Sequence, residues 1–200
     1  MFIHYHIDMS ILTEYTVAML KYILLGFLDY GPMTGYELKQ TIDNSTGHFW
    51  HAHHSQIYTT LRQMEKDGLV SSVFKSSEDA LRRRIYTITE SGKKELMEWL
   101  DTPMEEIQPL KEDFLVRMFF SGKRDPQKVL EELAIQQKLH KSTSKVYEKM
   151  QDAICHYGHP QTGNLSDQQK YWKLTLEMGI MYEKMYQEWL EKAIEVVKGK

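Results

Sequence analysis

Between Val17 and Leu100 the apolar residues change their spacing from helical to alternating and back, which limits the folds open to the chain. Val17, Leu20, Ile23, Leu24, Phe27 and Leu28 recur three or four apart, the period of one helix face, and stop at Tyr30-Gly31-Pro32, a turn signal. Thr34 and Glu37 then stand at the spacing of a capping box, whose hydroxyl and carboxylate satisfy free N–H groups at a helix start. Tyr36, Leu38 and Ile42 give this second helix its apolar side, and the pattern lapses near Asn44 to Gly47. After a polar stretch a third helix opens at Ser55, turns Ile57, Leu61 and Met64 inward and ends at Asp67-Gly68, where glycine suits a left-handed cap. Leu69 to Lys75 and Arg83 to Ile88 read as two strands joined by the polar loop Ser76 to Leu81. Thr89 to Gly92 begins a fourth helix with Leu96, Trp99 and Leu100 on one side. Three helices followed by a hairpin is the order of a winged helix-turn-helix domain.

Past Thr102-Pro103 the strand signals cease. A short helix is expected around Phe114 to Phe120, with a stop at Ser121-Gly122. Asp125 offers an N-cap and Pro126 the first position of a long helix running to about His156. Asn164 to Asp167 marks a loop, and Ser166 with Gln169 makes a second capping box. On the last helix Met178, Tyr182, Met185, Trp189, Ala193 and Val196 have the spacing of a coiled-coil seam, widened by Gly179, Tyr186, Leu190, Ile194 and Val197. The expected fold is therefore mainly α with a small β-hairpin. An N-terminal extension (1–18) precedes a winged-helix domain (19–102), and an α-helical dimerisation domain (103–200) follows.

At 42% apolar and 26% charged residues the chain can build a core and is not disordered. The single cysteine, Cys155, excludes an internal disulfide framework, and no run approaches the roughly 18 apolar residues that cross a bilayer. Asp8 and Glu14 interrupt the apolar start and no basic stretch precedes it, unlike a signal peptide, so a cytoplasmic location with no membrane partner is expected. With 25 Lys and Arg against 28 Asp and Glu, the net charge of −3 does not advertise nucleic-acid binding. Any contact with phosphates must come from a local patch.

Two such patches stand out. The outward face of the third helix carries Ser55, Gln56, Tyr58, Thr59, Arg62, Gln63 and Lys66. Hydrogen-bonding groups near a helix start are what a helix needs to read base edges in a major groove, although an ordinary solvated face has the same composition. Arg82, Arg83 and Arg84, at the base of the hairpin, form the strongest positive cluster and are placed to hold phosphates, or else to line a solvated strand edge. Glu78 and Asp79 in the loop would repel phosphates, which argues against a wing tip that enters the minor groove.

His48, His51, His53 and His54 form one histidine cluster, and Cys155, His156 and His159 a second. Neither has the paired spacing of a structural zinc motif, so no metal and no other cofactor is implied. The first reads better as a polar link in which His53 or His54 touches phosphate. No catalytic triad order or phosphate-cradling glycine loop is present, and no enzyme activity is expected. Trp172, Met178, Tyr182, Met185, Tyr186 and Trp189 on the last helix fit a dimer interface, and flexible methionines with flat rings also fit a pocket for a small aromatic effector.

Tyr22-Ile-Leu-Leu-Gly26, Gly31-Pro-Met-Thr-Gly-Tyr-Glu-Leu38, Ser55-Gln-Ile-Tyr-Thr-Thr-Leu61, Leu69-Val70 and Arg83-Arg-Ile-Tyr-Thr-Ile-Thr-Glu-Ser-Gly92 resemble, in this order, the winged-helix domain of PadR-like transcriptional regulators. The helical second half is similar in length and character to the C-terminal domain of the larger members. The resemblance implies a homodimeric bacterial or archaeal regulator, usually a repressor, that binds double-stranded DNA at a palindromic operator. Its C-terminal helices would dimerise and respond to a small molecule. Gln56 and Tyr58 stand in the family's Gln-Ile-Tyr motif, with Tyr58 expected at the DNA. Thr59 replaces the proline usual at the next position, and the acidic Ser77-Glu-Asp79 departs from a Gly-rich, basic wing. Many members begin near residue 19, so residues 1–18 are either an extra helix or lie before a later start at Met9 or Met19. A different class of function, a winged-helix interaction module that does not bind DNA, would use the acidic wing to meet a protein partner.

Overall fold

Pro32 denies the first helix a continuation, and Thr34 two residues later caps the next one, so the chain turns within four residues of Tyr30. The computed structural model describes residues 9–47, 49–77, 80–107, 110–156 and 167–199, the side chains of 9–17, 76–77, 80–82 and 152–156 excepted. Two units result, Met1–Ile107 and Gln108–Lys200. The first holds α1 (Met9–Tyr30), β1 (Met33–Thr34), α2 (Gly35–Asn44), α3 (His54–Lys66), β2 (Val70–Ser77), β3 (Ala80–Ile88) and α4 (Glu90–Asp101). The second holds α5 (Asp113–Phe119), a 3-10 turn (Ser121–Lys123), α6 (Pro126–His156) and α7 (Asp167–Val197).

The helix starts form as their sequences dictate. Glu37 N–H donates to Thr34 Oγ1 at 3.2 Å while Glu37 Oε2 accepts from Thr34 N–H at 2.7 Å, the reciprocal bonds of a capping box. The same Thr34 pairs with Ile85 and Met33 with Tyr86, which adds β1 to the edge of the hairpin. The sheet therefore has three antiparallel strands in the order β1-β3-β2, not the two expected from periodicity. The β2–β3 ladder runs from Val70↔Ile88 to Ser77↔Ala80, with an irregular step between Lys75 and Ser77, so both strands extend into the stretch read as loop. At the end of α3, Leu69 N–H reaches Met64 O and Gly68 N–H reaches Glu65 O, with Gly68 at φ 72°. This is a Schellman cap, and it aims the chain directly into β2.

Helix α1 begins at Met9 rather than at Val17, so part of the expected extension is helical. Leu20, Leu24, Leu25 and Leu28 of α1 are buried with Leu38 and Ile42 of α2, Ile57, Leu61 and Met64 of α3, Val70, Tyr86 and Leu96. Side chains of this size each contribute about 1.5–3 kcal/mol on full burial. Neighbouring Leu24 and Leu25 are both wholly buried because α1 runs through the middle of the unit, touching α2, α3, α4 and β3. Tyr22 stacks on Trp99 of α4 with ring centroids 4.5 Å apart, and Lys21 pairs with Glu95 at 2.5 Å. The inner side of α3 is thus fixed, and its outer side is free.

In the second unit Asp125 Oδ1 accepts from Gln127 N–H at 2.9 Å, the N-cap its position predicts, with Pro126 first in α6. Phe114, Val129, Leu133, Tyr186 and Leu190 form the core. On α7 the buried positions include Gln169, Leu176, Glu183 and Leu190, every seventh residue, and α7 packs along α6. Ser166, the expected second cap, lies outside the described residues.

Candidate nucleic-acid interface

Every residue that the sequence singled out on the third helix reaches its surface: His54, Ser55, Gln56, Tyr58, Thr59, Arg62 and Lys66 are exposed. Their positions follow from the inward set Ile57, Thr60, Leu61 and Met64, which leaves the opposite arc to solvent. Gln56 has a local task as well, since its Oε1 accepts the His53 N–H at 2.8 Å and holds the first turn of α3. Its amide NH₂ is a donor that this bond leaves unused, on an exposed residue. Arg62 lies along its own helix, donating to Tyr58 O at 3.2 Å and more weakly to Thr59 Oγ1 at 3.4 Å. Lys66 in the last turn forms no ion pair among the described residues.

The arginine cluster divides. Alternation along β3 sends neighbouring side chains to opposite faces. Arg83 is exposed, and its charge reaches Glu37, whose carboxyl is held low first by the Thr34 backbone N–H and then by its hydroxyl, with Arg83 a smaller contributor. Arg84 turns the other way: its Nε donates to Ser72 Oγ at 2.8 Å, its terminal nitrogen pairs with Glu65 Oε2, and Ser72 Oγ donates to Glu65 Oε1 at 2.5 Å. The guanidinium also sits over the rings of Phe74 and Tyr86, at 5.4 and 5.3 Å from their centroids. The Ser72 hydrogen bond first, and Arg84 second, hold the Glu65 carboxyl below its ordinary 4.5. Arg84, expected at phosphates, is therefore engaged in tying the wing to α3. The side chain of Arg82 and residues 78–79 of the wing loop lie outside the described set.

The sequence reading missed Glu65 and Ser72. No local signal marks them, because the tie joins residues 19 positions apart.

Of the histidines, His51, His53 and His54 are exposed, and His54 stacks beside Tyr36 at 6.4 Å. Among the described residues no group of three or more His, Cys, Asp or Glu could hold a metal ion. Cys155, His156 and His159 lie outside the described side chains, as does His48.

The candidate dimer or effector residues separate into two faces of α7. Tyr186 is 4% exposed and belongs to the core of its own unit, with Tyr182 and Trp189 packed against it. It stacks on His140 at 3.8 Å, and His140 Nδ1 lies 2.6 Å from the buried Glu183 Oε2. Burial, with smaller effects of Glu112, Tyr182 and Glu183, pushes the Tyr186 phenol up to about 12. Met178 and Met185 face outward at 64% and 51%, continuing a stripe with Tyr171, Leu174 and Met181. Trp172 is exposed beside it. The seam expected from spacing was thus a blend of an inner and an outer face.

Residues 24–98 match the model of the "Transcriptional regulator PadR-like family", and residues 110–198 match "Virulence activator alpha C-term". The negative transcriptional regulator PadR of Bacillus subtilis is 28% identical over 187 residues, covering 90% of this chain and 98% of that one. The crystal structure of Bacillus subtilis PadR in complex with operator DNA aligns with a TM-score of 0.75 at 26% identity, over 90% of this chain and 99% of that one. The same regulator in complex with p-coumaric acid aligns with a TM-score of 0.69 at 26% identity, over 91% and 96% of the two chains.

Proposed function

Since the chain belongs to the PadR-like transcriptional regulator family, we propose that it is a homodimeric repressor that binds a palindromic operator and is released by a small aromatic effector. The observation that carries this reading is the exposed polar arc of α3, held rigidly on a buried core, in a chain alike over nine-tenths of its length to a regulator crystallised on its operator. In the mechanism, His54, Ser55, Gln56, Tyr58 and Thr59 enter the major groove at the start of α3 and meet base edges. Arg62, Lys66, Arg82 and Arg83 meet phosphates, while Arg84 keeps the wing at a fixed angle to α3 through Glu65. The domains act as residues 19–102 for DNA and 103–200 for dimerisation, with 1–18 as an extension.

Dimerisation uses the outer stripe of α7, Met178 and Met185 with Trp172, since a monomer has no use for so regular an apolar row. The aromatic group of Tyr182, Tyr186, Trp189 and Phe114 supports an effector with a flat ring, of the chemical kind found in the p-coumaric acid complex of the Bacillus subtilis regulator. An effector bound there would favour one of two arrangements of the dimer and so change the distance between the two α3 helices. Among the described residues no helix is long and apolar enough to cross a membrane, and the protein is proposed to act in the cytoplasm.

The test is selection of genomic fragments by the purified protein at two salt concentrations, followed by sequencing. Enrichment of one inverted-repeat sequence that persists at the higher salt supports the proposal. Recovery without a shared sequence, lost with salt, refutes it.

A further inference from the structure

We propose that Gly35 is the seat of Tyr58, and that the missing side chain at the start of α2 sets where the Tyr58 ring stands against DNA. The inference rests on the operator-binding reading above. Gly35 is buried as the first residue of α2. A Cβ built there would stand 2.5 Å from Cε1 of Tyr58, 2.8 Å from Cζ and 3.1 Å from the phenol oxygen. Real Cβ atoms do not approach other atoms so closely, so any side chain at this position moves the ring. The backbone itself does not call for glycine, because Gly35 is not among the residues with positive φ. Alanine is the better helix former, so the glycine serves the neighbour that lies on it.

That neighbour is part of the reading face. Tyr58 leaves α3 between Gln56 and Arg62 and is 40% exposed, with the outer half of its ring laid over α2. In a helix-turn-helix the helix before the reader crosses the DNA backbone. The ring therefore occupies the angle between the two helices that approach DNA, and its phenol can donate a hydrogen bond there. A ring seated on backbone has little freedom to turn, so its hydroxyl is held ready rather than ordered on binding.

A double-mutant cycle tests this with full-length wild type, Gly35→Ala, Tyr58→Ala and the double variant. Affinity is read on the selected operator fragment and on an unrelated duplex of equal length, alongside the thermal midpoint. Gly35→Ala should weaken operator binding roughly fivefold or more in the wild-type background and less than about twofold once Tyr58 is alanine. If Gly35→Ala fails to fold, the double variant should fold, because removing the ring opens the space. Equal losses in both backgrounds, a double variant no more stable than Gly35→Ala, or a Tyr58→Ala variant that binds the operator like wild type would each overturn the inference. Failure of the wild type to bind any duplex selectively would instead overturn the operator-binding reading itself.

Discussion

Arg83 and Arg84 are chemically identical neighbours with different work to do. Arg83 is exposed on the wing, so Arg83→Ala should weaken binding to every duplex and reduce the salt slope by about one, with an unchanged melting temperature in thermal unfolding. Arg84 is partly exposed and bound to Glu65 and Ser72, so Arg84→Ala should cost on the order of 1 kcal/mol in denaturant unfolding. A normal melting curve for Arg84→Ala would show that the tie carries no stability. The strand alternation was legible in the sequence and separates the two side chains. The partner Glu65, on another element, was not. The same network gives a pH dependence. Glu65, Glu37 and Glu95 are all held below their ordinary 4.5, by Ser72, by the Thr34 backbone and by Lys21 respectively. Their folded values lie below the unfolded ones, so the stability they add is present above the ordinary carboxylate range and is lost as pH falls through the folded values. Unfolding midpoints should therefore drop between about pH 5 and pH 3, and Glu65→Gln should flatten that drop.

At the scale of elements the helices were legible, the seven-residue α5 included, whereas the two-residue β1, the full length of the wing strands and the inner face of α7 were not. α3 could be read because its inward residues, its glycine cap and its polar arc all agree. β1 could not, since two residues have no period, and Thr34 was already accounted for as a cap. The wing strands read too short because Ser76, Ser77 and Ala80 lack the β-branched and aromatic residues that mark a strand. In α7 two apolar faces overlap in sequence, and only the position of α6 decides which is inner. Leu190 is fully buried on the inner face, so Leu190→Ala should cost about 2–5 kcal/mol in chemical denaturation of the second unit. Met178→Lys with Met185→Lys alters only the outer face. This pair should leave the circular dichroism of the protein intact and weaken self-association by roughly tenfold or more in sedimentation. An unchanged association constant would place the dimer contact elsewhere.

Over the whole molecule the net charge of −3 is uninformative, because the groups proposed to meet DNA are gathered on α3 and the base of the wing. The period of the apolar residues changes near Thr102-Pro103, the structure divides into units at Ile107 and Gln108, and the family models match residues 24–98 and 110–198. What spacing could not supply was which side chains would find one another across elements, as Gly35 and Tyr58 do. In the proposed mechanism regulation depends on the two units together: α3 would read, the second unit would pair the readers, and an effector would alter the pairing. The most direct test is a hydroxyl-radical footprint on the strongest fragment from the genomic selection. Two protected patches on one face of the duplex, about one helical turn apart and related by the symmetry of the sequence, are predicted. A single patch, or protection spread evenly along the fragment, would contradict a dimer that reads DNA with two copies of α3.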